Sequence, residues 1–150
     1  MAAERAKMAP NARAARASGA AFAVGGAALV VAGVVSILAG SPSAAHDLAP
    51  LVGPADFVGR FGQVAPVVSA AVAGIVAAVV ARLLATGRLE PLAAAIELLV
   101  LGLVVEVSIG GAIGRIGHAT DGGVLGATVA CLMGGTAVIA GGIVAVLGHE

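Results

Sequence analysis

Charge is scarce in this sequence. Lys plus Arg number eight, as do Asp plus Glu, and charged residues make up 11% of the 150 positions; Arg5, Lys7, Arg13 and Arg16 take half of the basic residues near the N-terminus. Too few cations remain elsewhere to build a basic surface, which excludes nucleic acid as a partner. The lone cysteine, Cys131, excludes an intrachain disulfide and says nothing about redox compartment. There is no nucleophile and base arrangement, no metal-ligand spacing and no phosphate-binding glycine loop, so neither an enzyme activity nor a cofactor is expected. His46 beside Asp47, and His118 close to Asp121, read as solvated loop residues because no ligand spacing joins them. No histidine falls inside an apolar run, which excludes a haem held between two intramembrane imidazoles.

What the chain has in abundance is apolar sequence, 60% of its residues, with a mean hydropathy of +1.11. Four stretches, 18–40, 64–85, 92–113 and 124–147, each approach or exceed the 20 or so helical residues that cross a hydrocarbon core of about 30 Å. The expected fold is all-α: a polytopic integral membrane protein whose domain 18–147 is an antiparallel bundle of four transmembrane helices, preceded by a basic cytoplasmic tail, 1–17, lying against anionic lipid. Arg82 and Arg88 sit on the same side as the N-terminal cations, and only Arg60 and Arg115 sit on the other. This asymmetry places both termini in the cytoplasm and the chain in the cell membrane as a multi-pass protein. Segments 41–63 and 114–123 then face outward, and both carry the Gly, Asp and His residues of a water boundary. A basic start, an apolar run and the small residues Ser43, Ala44 and Ala45 also describe a secretory signal. The run is longer than the roughly 7 to 15 apolar residues such signals use, so an uncleaved first span is expected.

Glycine carries the next layer. Gly19, Gly26, Gly33 and Gly40 recur every seven residues, a spacing that keeps them on one helix face with a drift of only about 20° per repeat. In lipid, helices associate through close packing, and small residues let backbones approach, so this stripe is a helix contact surface. Ala70, Gly74 and Ala78 form a comparable row in the second span, and Gly102 and Gly110 flank Glu106 in the third. These rows hold a bundle together, or the span-one stripe faces another subunit. The near absence of aromatic residues, with no Trp, no Tyr and three Phe, removes the belt that usually anchors spans at the headgroups. Neighbouring subunits could supply it. The expected partners are the lipid bilayer and either other membrane subunits or further copies of this chain.

Two acids interrupt the third span. A carboxylate at the centre of a membrane helix costs about 2.5 to 3.5 kcal/mol on insertion scales, which makes Glu97 and Glu106 candidates for proton or cation binding. Nine residues at about 100° each put them on opposite helix faces, so they need separate partners. If the second and third spans fold about Arg88 and Leu89, Arg82 comes level with Glu97 and an ion pair is expected there. Folding the last two spans about Gly117 and His118 brings Glu106 level with Cys131, with Thr128 a turn away and Ser69 of the second span not far above. Among such neighbours Glu106 is expected to keep its proton and donate a hydrogen bond. The function expected is that of a small non-enzymatic membrane protein acting through helix contacts, as an accessory subunit or homo-oligomer. The alternative is a proton or cation transporter component that uses Glu106.

Overall fold

The computed structural model describes the backbone of residues 2–40, 54–116 and 122–148 and the side chains of 11–39, 67–110 and 123–148. Its helices are α1 (Ala2–Gly40), α2 (Pro54–Ala85), α3 (Pro91–Ile116) and α4 (Gly122–Leu147). Each holds a stretch long and apolar enough to cross a membrane: Asn11–Ala39, Val67–Ala85, Pro91–Gly110 and Gly123–Leu147. Two boundaries differ from the sequence expectation. The basic tail continues without a break into the first span, and α2 starts at Pro54, so residues 54–63 of the expected outer connection are helical. Proline suits the first helical position because its φ is preset and the N–H it lacks has no partner there. Hydropathy marks how far an apolar run extends, whereas the helix continues as long as backbone bonding does, and the polar turns at both ends were therefore missed. His46, Asp47, His118 and Asp121 lie outside the described residues.

The connection between α2 and α3 shows how the sequence ends one helix and begins the next. Gly87 adopts φ +70°, the left-handed conformation that glycine tolerates best. That twist lets the Arg88 N–H donate to the Leu83 carbonyl at 3.0 Å and the Gly87 N–H to the Leu84 carbonyl at 3.1 Å, satisfying carbonyls the helix end would leave open. Pro91 then opens α3, and the Ala94 N–H donates to the carbonyl of Glu90, the residue that caps it.

α1 packs along α4, α4 along α3, α3 along α2 and α2 along α1, while the diagonal pairs scarcely touch. The core mixes alanine with larger branched residues. Ala20, Ala23, Ala27, Ala77, Ala81, Ala94 and Ala145 are buried in one cluster with Leu84, Leu98 and Val138. A second cluster joins Val30, Val34 and Ile37 of α1 to Ala70 and Ala73 of α2, Val105 and Ile109 of α3 and Cys131 of α4. Many large apolar side chains also turn outward, among them Val79, Leu103, Val107, Leu125 and Met133.

Candidate functional site

The most extensive helix contact among the described residues is between α1 and α4, and glycine lines it. A methyl group at Gly19 would stand 2.5 Å from the Gly141 carbonyl oxygen, and one at Gly26 would stand 2.5 Å from that of Gly134. The relation is mutual: methyls at Gly141 and Gly134 would meet the carbonyls of Gly19 and Gly26 at 2.5 and 2.6 Å. Two turns further along, a methyl at Gly33 would stand 2.5 Å from Cys131 Sγ and 2.7 Å from the Ala127 carbonyl oxygen. Residue numbers rise along α1 as they fall along α4. Backbone therefore rests on backbone, at a separation that favours Cα–H···O contacts. The α1 stripe, considered above as a surface for another subunit, is covered by α4 of the same chain. Gly134 and Gly141 are themselves seven residues apart, so the two helices present matched repeats.

Glu106 sits on the α3–α4 contact, about 22 Å along α3 from Pro91 and thus near mid-helix. It is half-buried, and its Oε1 lies 3.0 Å from Thr136 Oγ1 and over Gly135, where a methyl would come within 2.9 Å of it. The same Thr136 hydroxyl lies 3.0 Å from the Leu132 carbonyl. A hydroxyl has one proton and two acceptor positions. When Thr136 donates to Leu132, the bond to Glu106 forms if the carboxyl carries the proton and donates to Thr136. When Glu106 is ionised, Thr136 donates to it instead. The Thr136 hydroxyl thus has two acceptors within reach, the Glu106 carboxyl and the Leu132 carbonyl.

The neighbours expected for Glu106 are elsewhere. Cys131 is buried against α1 and its Sγ donates to the Val30 carbonyl at 3.5 Å. The Thr128 hydroxyl turns back on its own helix, donating to the Val124 carbonyl at 2.8 Å. Ser69 is exposed on α2, a helix that packs against α1 and α3. Thr136 takes their place because Glu106 packs about one turn further along α4 than a fold about Gly117 and His118 would place it. A shift of about two residues in the fold point moves the facing residue by about four, one helical turn. Gly102 lies against Ile139 and the Gly135 carbonyl, whereas a methyl at Gly110 would meet nothing within 4 Å. The side-chain surroundings of Gly40 lie outside the described residues.

The expected ion pair between Arg82 and Glu97 does not form; both side chains are exposed. The reason is rotation about the helix axes. Gly74 faces Val30 and Ala27 of α1, and Arg82, eight residues on, lies about 80° further round, on the α1 edge of α2. Glu97 points away from the α4 side occupied by Glu106 and so toward the α2 side of α3. The two charges lie within about one helical turn of the same depth, but Arg82 is on the α1 side of α2 and Glu97 is beyond its other side, on α3.

Among the described residues no three His, Cys, Asp or Glu side chains converge on a metal site. An open groove of about 510 Å³ runs between α1 and α4, lined by Phe22, Gly25 and Leu29 of α1 and by Ala137, with Ser18 as its one hydroxyl. It lacks the convergent polar groups that chemistry requires. No protein-family model, curated protein or solved structure matches this chain.

Proposed function

We propose that the chain is a non-enzymatic, multi-pass protein of the cell membrane, an antiparallel four-helix bundle with both termini in the cytoplasm, acting through helix contacts as an accessory subunit or homo-oligomer. One observation carries this reading: large apolar side chains cover the outside of the helices, Val107 at 73% exposure and Leu125 at 67% among them. Such a surface suits lipid or apolar partner helices, since soluble monomers rarely expose large contiguous apolar patches. The opposed numbering of the α1–α4 and α3–α4 contacts supports the antiparallel arrangement. The uneven spread of Lys and Arg supports the orientation. The test is extraction in native lipid followed by mass measurement of the intact particle. A particle containing other chains, or several copies of this one, is the expected result. A solitary chain would contradict it.

A second reading, a proton or cation transporter component, is favoured by Glu106, because a carboxyl inside an apolar span marks a candidate ion path and here lies within hydrogen-bond distance of the Thr136 hydroxyl. Proton flux into liposomes holding the purified chain decides this reading. Flux lost in Glu106→Gln supports it, and no flux in either protein removes it.

A further inference from the structure

Two opposite charges stand at the edges of one outward face with no ion-pair partner among the described residues. Arg82, in the last turn of α2, and Glu97, in the second turn of α3, are exposed, and neither makes an ion pair with any described residue. Both belong to stretches apolar enough to cross a membrane, Val67–Ala85 and Pro91–Gly110. Counted from the connection that joins the helices, their depths differ by about one helical turn or less, within the reach of an arginine side chain.

Between these edges runs the outward face of α2. Val68, Val72, Ile75 and Val79 occupy it, 45%, 53%, 56% and 54% exposed, and the alternating spacing of four and three continues to Arg82. β-Branched side chains have few rotamers to lose, so a face made of them packs against another helix at small entropic cost. The spacing is also that of a helix-helix seam.

The charges decide what the seam pairs with. In a two-fold dimer whose axis runs parallel to the helices, the α1 edge of one copy faces the α3 edge of the other. Arg82 lies on the first edge and Glu97 on the second, so a face that leaves each charge without an ion pair among the described residues of one copy pairs both when doubled. We propose that a second copy of this chain covers the outward face of α2, forming a parallel two-fold dimer in which Arg82 of each copy pairs with Glu97 of the partner subunit. The inference rests on the reading of the chain as a membrane protein that acts through helix contacts, and it identifies the partner as the chain itself.

Charge exchange in lipid tests it. Full-length chains carrying donor or acceptor fluorescent proteins at the C-terminus are reconstituted together, and energy transfer is followed as lipid is added. The native chain associates; Arg82→Glu and Glu97→Arg alone each weaken association by about tenfold or more, since each replaces two attractions with two repulsions, and the double exchange recovers to within about threefold of native. Should a single exchange fail to insert, oxidative crosslinking answers independently. Val79→Cys, close to the two-fold axis, crosslinks between copies, and Leu103→Cys, on the outward face of α3, does not. Association unaffected by either exchange, or crosslinking through Leu103→Cys but not Val79→Cys, overturns this dimer. A native chain that is monomeric at every lipid ratio also overturns it. Extraction in native lipid then separates the two claims: stoichiometric foreign chains leave the helix-contact reading standing, and a solitary chain removes both.

Discussion

Adjacent glycines in α1 provide a controlled test of the packing. Gly25 and Gly26 share a helix and a depth, but a methyl at Gly25 meets nothing within 4 Å, whereas one at Gly26 stands 2.5 Å from the Gly134 carbonyl oxygen, 2.9 Å from the Val138 nitrogen and 3.0 Å from the Ala137 Cβ. Restoring ordinary contact, about 3.4 Å, requires the helices to part locally by nearly 1 Å. A gap of that size forfeits about a quarter to a half of the dispersion attraction of each atom pair it opens. Overpacking of this kind costs about 1 to 3 kcal/mol. Replacing glycine by alanine inside a helix also gains about 0.5 to 1 kcal/mol of backbone entropy, and that gain is common to both positions. Gly25→Ala should therefore be neutral or slightly more stable, and Gly26→Ala less stable than Gly25→Ala by about 1 to 3 kcal/mol. Reversible unfolding in mixed micelles, followed by helix content as the denaturing detergent fraction rises, gives both values. If Gly26→Ala proves as stable as Gly25→Ala, the glycine contact between α1 and α4 is not what the structure describes.

Two further substitutions probe separate devices. Glu106→Ala, Thr136→Val and the pair together form a double-mutant cycle in the same unfolding assay; the coupling should be favourable and near 0.6 kcal/mol, with about 1.7 kcal/mol as the upper end for hydrogen bonds between membrane helices. A coupling of zero would mean the 3.0 Å contact contributes nothing in lipid. Gly87→Ala places a Cβ at φ +70° where there is open space, so it should cost about 1 to 2 kcal/mol through backbone strain alone. Gly87→Asn should cost less, because asparagine tolerates that conformation better, and equal losses from the two would argue against the strain account.

The sequence was informative about composition along each helix and less so about rotation and register. Apolar length located four helices because hydropathy is summed over many residues and survives local exceptions. The period of Gly19, Gly26 and Gly33 marked the inner face of α1, but not which helix would fill it. That answer needed the matching repeat of Gly134 and Gly141, which was masked by the additional glycines at 135 and 142. For Arg82 and Glu97, depth was legible from the short connection. Their separation around the helix axes depended on which neighbour each face met, and depth alone carries no such information. Thr136 went unnoticed for a related reason: an error of about two residues in the fold point moves the facing residue by a whole turn. The only local signal was the hydroxyl next to Gly135, where absence of a side chain leaves room for a carboxyl.

Polarity does not distinguish inside from outside in this molecule: apolar side chains occupy both. Alanine and glycine line the contacts of α1 with α4, and valine, leucine, isoleucine and methionine cover much of the exterior. In water this arrangement would place most of the apolar surface on the wrong side, because burying an alanine removes far less area than burying a leucine and the favourable term scales with area. In lipid the exterior costs nothing, and the balance turns on how closely backbones approach. Small residues then become the strongest contact formers available. This reasoning also separates the two glycine populations of the chain: those that would meet a neighbouring backbone if enlarged, such as Gly19, Gly26, Gly134 and Gly141, and those that would meet nothing, such as Gly25, Gly110 and Gly126. Only the first group holds the bundle together. The second is available to a partner helix, and substitutions there should be tolerated in the isolated chain.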